Sequence, residues 1–565
     1  MAQLHAASTA PAVPPTPSKG ISAEERLVIV ASSLGTVFEW YDFYLYGSLA
    51  AIISKHFFVA VNETTSFIFA LLAFSAGFFV RPFGAIFFGR LGDMIGRKYT
   101  FLITIMIMGL ATTVVGFLPT HATIGIAAPI ILITLRLLQG LALGGEYGGA
   151  ATYVCEHAQP GRRGFSCSWI QMTATVGLFL SLLVIVATRI IIGPQAFEAW
   201  GWRVPFIISL FLLIISVYIR MKLNESPVFK RMKEEGKASK APITESFLRW
   251  GNLKIVLAVL FGGLVGQAVV WYTGMFYELF FLLQMLKLDG QTTNFVVAAS
   301  LAIGTPFFVV FGVLSDKVGR KKIILTGCAL AALTLFPIFK GLTKYANPDL
   351  LAAQQNSPVL VVANPDDCSF QFDPIGKSTF KSSCDVAKSL LAKKGIPYTN
   401  EAAPAGTIAS VKVGASTVVA SFDGKAMAGP EFKAKQGEFA KALGEATKMY
   451  PAKADMSKVN YPMVMLLLVI LVIYVCMVYA PMGPWLVELF PARIRYTSLS
   501  LPYHIGNGWF GGFLPTIAFA IVAATGDIYS GLWYPVIGSA MTVVIGIFFM
   551  RETDTKAEIH HDSPA

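Results

Sequence analysis

Long apolar runs recur along the whole chain, separated by short polar segments, and this pattern constrains the fold more than any other feature. Of the 565 residues, 55% are hydrophobic and 14% are charged, too few charges to cover a soluble protein of this length. An apolar helix of about 20 residues crosses a hydrocarbon core of roughly 30 Å and satisfies its own backbone polar groups there. The sequence therefore predicts an all-α polytopic membrane protein with twelve spans, at residues 27–53, 65–89, 99–119, 124–147, 166–191, 203–221, 253–284, 292–314, 323–343, 461–484, 498–524 and 531–550.

The basic residues of the connecting segments predict the orientation of these spans. They concentrate in alternate connections, whereas the remaining short connections carry little beyond Lys55 and Lys287. By the positive-inside rule, the basic connections and both termini are expected to be cytoplasmic. These loop charges account for the net charge of +12, and no basic face that would bind nucleic acid is indicated.

The two ends of the chain are polar. Residues 1–26 are rich in Ala, Pro, Ser and Thr, which favours a disordered cytoplasmic tail. The first apolar run contains Glu39 and Asp42 and is too long and too acidic for a cleaved signal peptide. Residues 551–565 are expected to form a second cytoplasmic tail.

One connection, residues 344–460, is much longer than the others and follows the ninth span, which places it outside the cell membrane. Short strands are predicted at 359–363, 407–413 and 417–422, and helices at 385–394 and 437–449, as in a small α/β domain. Cys368 and Cys384 are its two cysteines. In an oxidising compartment they are expected to form a disulfide, the alternative being two free thiols.

A charged loop of the form G-x-L-x-D-x-x-G-R-K occurs twice, and it reveals an internal repeat. Its copies, Gly89–Lys98 and Gly312–Lys321, are 223 residues apart. A second repeated pair, Glu156 with Arg163 and Glu488 with Arg495, is 332 residues apart, and the extra 109 residues correspond to the inserted domain. Two parallel six-helix halves explain both offsets, at 27–221 and at 253–343 with 461–550, joined by a central cytoplasmic loop at 222–252.

The repeated loops are candidates for a device that holds the two halves together. Gly89 and Gly312 would allow close approach of helices, and Asp93 and Asp316 would meet an Arg or a helix N-terminus. The alternative is that the loops carry only topogenic charges, which would leave the repeated Gly and Asp unexplained. The predicted gating residues are Gly89, Asp93, Arg97, Glu156, Arg163, Gly312, Asp316, Arg320, Glu488 and Arg495.

Charged side chains within predicted spans are costly and are therefore functional candidates. Glu39, Asp42, Arg81 and Arg136, the last beside Gln139, lie in the amino-terminal half. We expect Asp42 or Glu39 to pair with Arg136, because a buried carboxylate beside a switchable Arg can bind and release a proton. The alternative is a static buried salt bridge.

Several stretches resemble the major facilitator superfamily, and together they resemble its metabolite:proton symporter branch. The duplicated loop and the Glu/Arg pair carry the first resemblance. The second lies in Gly35–Gly47, Arg81–Gly84, Arg136–Gly140, Gly144–Gly148, Glu225–Phe229 and Gln267–Gly274. The resemblance implies the twelve-helix fold of that superfamily, with loops that pair across the halves to hold an outward-facing state. The branch as a whole gives no guidance on so large an insertion.

Members of that branch move organic acids or zwitterions together with protons, which implies a proton-coupled symporter of a small organic acid in the inner membrane. Arg81 and Arg136 favour a carboxylate-bearing solute, since guanidinium binds carboxylate bidentately. Trp271, Tyr272 and Tyr277 are expected to line the facing half of the cavity, or else to pack between helices. Glu278 lies near the outer end of its span, where a solvated rim position is as consistent as a functional one.

Other functions remain as alternatives. They are a proline/betaine-type or sugar symporter and, from a different class, a non-transporting receptor that senses through the outer domain. An enzyme is not indicated, because no nucleophile motif, phosphate-binding loop or metal-ligand spacing is present. No metal and no cofactor are predicted, and the monomer is expected to be the functional unit.

Overall fold

The computed structural model describes residues 22–58, 63–369, 380–415 and 417–557. Two long helices, α1 and α2, open the chain, and ten candidate spans within the described residues are long and apolar enough to cross a membrane. The long helices, together with the three α-helices of residues 347–460, are α1 (Ala23–Phe57), α2 (Glu63–Ile95), α3 (Arg97–Phe117), α4 (Ala127–His157), α5 (Arg163–Ile192), α6 (Arg203–Met221), α7 (Trp250–Met285), α8 (Gly290–Val318), α9 (Arg320–Ala346), α10 (Pro348–Asn356), α11 (Ser383–Lys394), α12 (Gly429–Ala446), α13 (Tyr461–Leu489), α14 (Arg495–Thr525) and α15 (Ser530–Phe549).

For description, we group the long helices into a first half, α1–α6, and a second half, α7–α9 with α13–α15. The predicted tail 1–26 lies mostly outside the described residues, and its last part is helical because α1 begins at Ala23. Here we call the end that carries the duplicated loops the motif end, and the opposite end, next to residues 347–460, the module end. These terms describe the molecule without assigning a side of the membrane.

Glycines set the closest helix contact in the first half. A Cβ on Gly84 would overlap the carbonyl of Leu141, and one on Gly144 would overlap the carbonyl of Arg81. Because glycine has no side chain, α2 and α4 approach backbone to backbone, as small residues allow between membrane helices. This contact fixes Arg81 against α4 and so determines where its guanidinium lies.

Helix α7 is the most irregular of the long helices. It contains π-helical turns at Leu260–Leu264, Thr273–Tyr277 and Phe281–Met285. A π turn widens the helix by one residue and frequently marks a functional site. Two of the three turns lie directly before and after Glu278.

Residues 347–460 fold into a small unit, here called the module. Strands β1 (Val359–Ala363), β2 (Thr399–Ala402), β3 (Ser410–Val413) and β4 (Thr417–Ala420) form a four-stranded sheet in the order β2-β1-β3-β4, with β1 and β2 parallel and the other pairs antiparallel. Helices α10, α11 and α12 accompany the sheet. Sequence analysis missed β2, whose four residues are all exposed and so lack an alternating pattern, and it began α12 eight residues late.

The module is anchored on the ends of helices from the second half. Asn347 Nδ2 donates to the carbonyl of Leu286 at 2.9 Å, and Asn400 Nδ2 donates to the carbonyl of Thr525 at 2.8 Å. Lys287 Nζ donates to the carbonyl of Lys394 at 2.6 Å, and burial lowers the pKa of Lys287 below its ordinary value. Between the module and these helix ends lies a cavity of about 1220 Å³, here called the outer cavity.

Candidate functional site

A small cavity of about 50 Å³ lies between the two halves, near the middle of α1 and α7. Small-molecule sites commonly have volumes of about 300–1,000 Å³, so the halves are closed around little more than the space of water molecules. This central cavity is lined by Thr36, Glu39, Trp40, Arg81, Leu143, Glu146, Tyr147, Ala150, Ile170, Trp271, Tyr272, Tyr479, Tyr503, His504 and Asn507. Four of the residues predicted from sequence, Glu39, Arg81, Trp271 and Tyr272, are among them.

Two buried carboxylates at the central cavity share one guanidinium. Arg220 Nη2 lies 3.0 Å from Glu39 Oε1 and 3.8 Å from Glu146 Oε1, and all three side chains are almost fully buried. The Arg220 guanidinium also lies 3.5 Å from the ring centroid of Phe101. If both acids are ionised, this cluster carries one negative charge in excess, which a single proton would cancel.

Arg81 is a buried cation without an acidic partner among the described residues. Its guanidinium lies 4.3 Å from the ring centroid of Phe78 and 5.0 Å from that of Phe43, in cation–π geometry. The side chain is 6% exposed, and no described Asp or Glu lies within ion-pairing distance. An anionic group entering the central cavity would therefore find an uncompensated positive charge.

Glu39 pairs with Arg220 and not with Arg136, whereas Asp42 lies close enough to Arg136 to interact electrostatically, with no ion pair between them among the described residues. Asp42 accepts a hydrogen bond from Ser209 Oγ at 2.5 Å, and Arg136 Nη1 donates to Gln139 Oε1 at 2.5 Å. The Arg136 guanidinium lies 3.6 Å from the ring centroid of Tyr46.

For Glu39, the reason is its depth within the bundle. Arg136 precedes Glu146 on α4 by ten residues, or about 15 Å along the helix axis. Arg220 of α6 lies at the depth of Glu39 instead. Asp42, Arg136 and Gln139 do not line the central cavity.

Aromatic rings form most of the cavity wall. Tyr147 and Tyr503 stack across the two halves with ring centroids 3.6 Å apart and planes 6° apart. The hydroxyls of Tyr479 and Tyr503 are 2.9 Å apart. Tyr277, by contrast, was expected in the wall and lies elsewhere: its ring packs 5.7 Å from that of Phe339 and 5.6 Å from that of Phe519.

Helix α14 supplies three wall residues that sequence analysis missed, Tyr503, His504 and Asn507. His504 is 2% exposed, and neither ring nitrogen has a hydrogen-bond partner among the described residues. Asn507 and Gln267 exchange hydrogen bonds of 2.9 and 3.2 Å between their amides. The available signal was polar residues at i, i+1 and i+4 of an apolar helix, which places them on neighbouring parts of one face.

At the motif end, one buried network contains Asp93, Arg97, Glu156 and Arg495. Arg97 Nη2 lies 3.3 Å from Asp93 Oδ1, and Arg495 Nη1 lies 2.8 Å from Glu156 Oε1. Asp93 also accepts backbone N–H bonds from Tyr496 and Thr497 at 3.3 and 2.8 Å, at the first turn of α14. The network thus joins α2, α3 and α4 of the first half to α14 of the second.

The second network repeats the first with the halves exchanged. Arg320 Nη2 lies 2.7 Å from Asp316 Oδ1 and 3.1 Å from Glu488 Oε1, and Arg163 Nη1 lies 3.4 Å from Glu488 Oε1. Asp316 accepts backbone N–H bonds from Gly164 and Phe165 at 2.8 and 2.9 Å, at the first turn of α5. The structure therefore brings together all eight predicted charged gating residues in two sets of four.

The repeated glycines have the geometry that the close contact requires. A Cβ on Gly89 would lie 3.0 Å from the Cα of Thr497, and one on Gly312 would lie 2.6 Å from the carbonyl oxygen of Gly164. Both contacts cross from one half to the other. A side chain at either position would push the halves apart.

A third repeated pair escaped sequence analysis. Glu225 accepts from the backbone N–H groups of Arg97 and Lys98, and Ser226 Oγ donates to Glu156. In the second half, Glu552 accepts from the N–H groups of Lys321 and Lys322 at 3.0 and 3.3 Å, and Thr553 Oγ1 donates to Glu488. Residues Glu552 and Thr553 lie in the segment that was predicted to be only a polar tail.

The same segment reaches across to the first half. The backbone N–H of Gly161 donates to the carbonyl of Thr555 at 2.7 Å, and Arg163 Nη2 donates to the carbonyl of Ala557 at 2.6 Å. The described part of the tail, residues 551–557, thus links both halves at the motif end. Among the described residues, no group of three or more His, Cys, Asp or Glu side chains could hold a metal ion.

The family and the relatives to which this chain is similar are all described as transporters. The profile of the family described as "Sugar (and other) transporter" matches residues 27–247. The chain is 36% identical over 319 residues to a proline/betaine transporter of Salmonella typhimurium, an alignment that covers 55% of this chain and 63% of that protein. It is 34% identical over 324 residues to a shikimate transporter of Escherichia coli, covering 56% of this chain and 72% of that protein.

The chain thus spans a little under two thirds of the length of the proline/betaine transporter. Among solved structures, the proton:xylose symporter XylE of the major facilitator superfamily, bound to 6-bromo-6-deoxy-D-glucose, superposes with a TM-score of 0.57 at 14% identity. That superposition covers 96% of this chain and 99% of XylE. At this identity the likeness concerns the fold.

Proposed function

We propose that this chain, which belongs to the major facilitator superfamily and to its metabolite:proton symporter branch, carries a small carboxylate-bearing solute across the inner membrane together with protons. The observation that carries the proposal is Arg81, a buried guanidinium at the central cavity without an acidic partner among the described residues. A guanidinium binds carboxylate through two parallel hydrogen bonds. An organic acid would supply the missing negative charge.

Proton coupling is assigned to the cluster of Glu39, Glu146 and Arg220. Two carboxylates compete for one guanidinium, so one of them is the less stabilised as an anion. Protonation of that carboxyl would neutralise the cluster and reduce the cost of closing the halves around a solute. Release of the proton would restore the excess charge and favour opening.

The two charge networks at the motif end would serve as the gate. Both networks are formed in this structure, so the motif end is closed. The basic loops at this end support the assignment of the motif end to the cytoplasmic side. On turnover, the contacts between α14 and the first half and between α5 and the second half would break together. Alternation between two rigid halves would thus depend on these pseudosymmetric networks.

A zwitterion such as a betaine is the second candidate, and the aromatic wall favours it. The stacked rings of Tyr147 and Tyr503, with Trp271 beside them, offer π faces suited to a quaternary ammonium, while Arg81 would hold the carboxylate. The names of the relatives cover both classes, a proline/betaine transporter and a shikimate transporter.

The remaining assignments concern topology. We propose that the protein has twelve spans, α1–α9 and α13–α15, with both termini in the cytoplasm, and that it functions as a monomer. The module would then be extracytoplasmic, with a disulfide between Cys368 and Cys384, whose Cα atoms are 5.2 Å apart. The structure also brings the sulfurs of Cys155 and Cys167 together.

Uptake of radiolabelled solutes into cells tests this function. The panel contains mono-, di- and tricarboxylates, shikimate, proline and betaine, each assayed with and without an uncoupler. We expect accumulation of a carboxylate that the uncoupler abolishes, and loss of that accumulation in Glu39→Gln. Glu198→Gln, which changes an acid that is exposed in an ion pair with Lys55, is the matched control.

The same assay separates a transporter from a receptor. A variant lacking residues 348–458 joins α9 to α13 directly. If the module is the sensor of a non-transporting receptor, no solute of the panel is accumulated by the full chain. If accumulation persists in the shortened chain, the module is an accessory of the transporter.

A further inference from the structure

Glu278 of α7 is a buried carboxyl that neither the central cavity nor the gate uses. It is 0% exposed, which excludes the solvated rim position considered from the sequence. Neither carboxyl oxygen has a hydrogen-bond partner among the described residues. It does not line the central cavity.

Three elements packed around this turn of α7 offer no counterion. They are the first part of α8, Gly290–Gly304, which contacts the turn of Glu278, and Tyr461–Tyr479 and Leu514–Thr525, which contact the preceding π turn. None of these three segments contains an Asp, Glu, Lys, Arg or His.

The described titratable groups near this turn include the hydroxyl of Tyr277, which is itself without a partner among the described residues, and Asp527 near that hydroxyl. Lys340 of α9 has an exposed side chain. An ionised Glu278 would thus lie in an apolar surrounding with no described group to stabilise its charge. Such a carboxyl takes up a proton rather than remain charged.

A route for that proton lies on the same helix. Leu283 and Gln284 line the outer cavity. Leu283 is five positions after Glu278, a distance of about 7.5 Å along the helix axis. Leu283 and Gln284 belong to the π turn Phe281–Met285, which begins three residues after Glu278. Because π turns leave the regular hydrogen-bond ladder, α7 can rearrange at this segment and admit water.

We propose that Glu278 is a second proton-binding site, loaded from the outer cavity. The carboxylate takes a proton from hydronium in that cavity and leaves water behind. The neutral carboxyl then packs in the bundle, in the buried position that the structure shows. Binding of this proton does not depend on the proposed function, whereas its use in transport rests on it.

Infrared difference spectroscopy of the purified full chain tests the site directly. We compare the wild type with Glu278→Gln in H2O and D2O, near neutral pH. The wild type should show a protonated carboxyl stretch that shifts in D2O, and Glu278→Gln should lose it. Glu198→Gln, which removes an exposed acid, should retain the band.

The proposal is overturned if the wild type has no such band near neutral pH or if Glu278→Gln retains it unchanged. Glu278→Asp gives a second route should the Gln variant fold poorly, since it should keep a protonated carboxyl band at a shifted position. An unchanged band in Glu278→Asp would equally contradict the assignment.

The number of protons moved per solute gives the transport readout. In proteoliposomes that accumulate a solute, Glu278→Gln should move one proton fewer per solute than the wild type, with uptake itself retained. An unchanged ratio would contradict a role in coupling. If the band is present but no solute of the panel is driven by a proton gradient, the site stands and the proposed function fails.

Discussion

At the scale of single residues, the guanidinium of Arg81, which has no acidic partner among the described residues, is the basis for the proposed substrate class. Removing one partner of a buried charge pair commonly costs about 2–5 kcal/mol of binding, and each 1.4 kcal/mol is about a factor of ten. We expect Arg81→Gln to raise the KM for the transported carboxylate at least about thirtyfold.

Arg81→Lys should have an intermediate effect, because lysine keeps the charge but loses the planar fork. Arg189→Gln is the control, since Arg189 is exposed at the end of α5. Initial uptake rates over a range of solute concentrations give these values. An Arg81→Gln variant with unaltered KM would show that the carboxylate binds elsewhere.

The ion cluster at Arg220 makes a prediction about stability. Arg220→Gln leaves two buried carboxylates without a counterion and should lower the free energy of unfolding by about 3–5 kcal/mol. Glu39→Gln should cost less, because Glu146 lies 3.8 Å from Arg220 and can take its place. Thermal unfolding in detergent measures both.

The exposed pair of Lys55 with Glu198 is the comparison for this prediction. Breaking it with Glu198→Gln should change the stability by about 0–1 kcal/mol. Equal losses in Arg220→Gln and Glu198→Gln would contradict the account of the buried cluster.

Sequence reasoning found the residue types at the central site but not their partners. Glu39 and Arg81 stood out because charges are rare in apolar spans. Arg220 did not, because it lies at the end of its span and resembled a topogenic charge. Which acid meets which base depends on the depth of each residue in the bundle, and single-sequence periodicity gives no relative height between helices.

At the scale of elements, the two Asp residues of the duplicated loops each hold the first turn of a helix from the opposite half. Asp93→Asn should therefore speed hydrogen exchange at the amides of Tyr496 and Thr497, and Asp316→Asn at those of Gly164 and Phe165. The reason is that loss of the charge weakens hydrogen bonds that a carboxylate accepts strongly.

Each variant serves as the control for the other. Hydrogen exchange followed by mass spectrometry should show the increase only in the helix that the altered Asp contacts. If both variants affect both regions equally, or neither region changes, the two networks are not the independent contacts described here.

The tail segment 551–557 makes the next prediction at this scale. A chain ending at Met550 lacks Glu552 and Thr553, so the amides of Lys321 and Lys322 should exchange faster. The equivalent amides of Arg97 and Lys98, held by Glu225, should not change. If amide exchange at Lys321 and Lys322 does not increase, the tail does not stabilise the proposed gate.

The duplicated loop was predictable because it is encoded by six matched positions at one offset. The third repeated pair was not predictable from the sequence. Residues 225–226 and 552–553 share only a Glu followed by a residue with a hydroxyl group. A two-residue match at an offset of 327 carries no signal in the sequence alone. The pattern becomes visible when both pairs are seen to cap equivalent helices.

At the scale of the whole molecule, the family predicted from the motifs is confirmed by the relatives, and the superposition on XylE supports the fold. The position of the inserted segment followed from the difference between the two offsets. Its exposed strand β2 could not be found, because an edge strand with no buried face has no hydrophobic alternation.

The proposed placement of the module outside the membrane predicts the redox state of its cysteines. Cys368 and Cys384 should be protected from alkylation in protein from ordinary cells and free in cells that lack periplasmic disulfide formation. Mass spectrometry of alkylated peptides measures this. Free thiols in both cases would contradict an oxidised, extracytoplasmic module.

The central claim is that this chain couples solute movement to a proton gradient. The most direct measurement is uptake of the carboxylate into proteoliposomes that contain only the purified protein, with an imposed pH gradient, acid outside. The account predicts accumulation above the external concentration that an uncoupler collapses and that Glu39→Gln lacks. Accumulation of the same size without a pH gradient would contradict it.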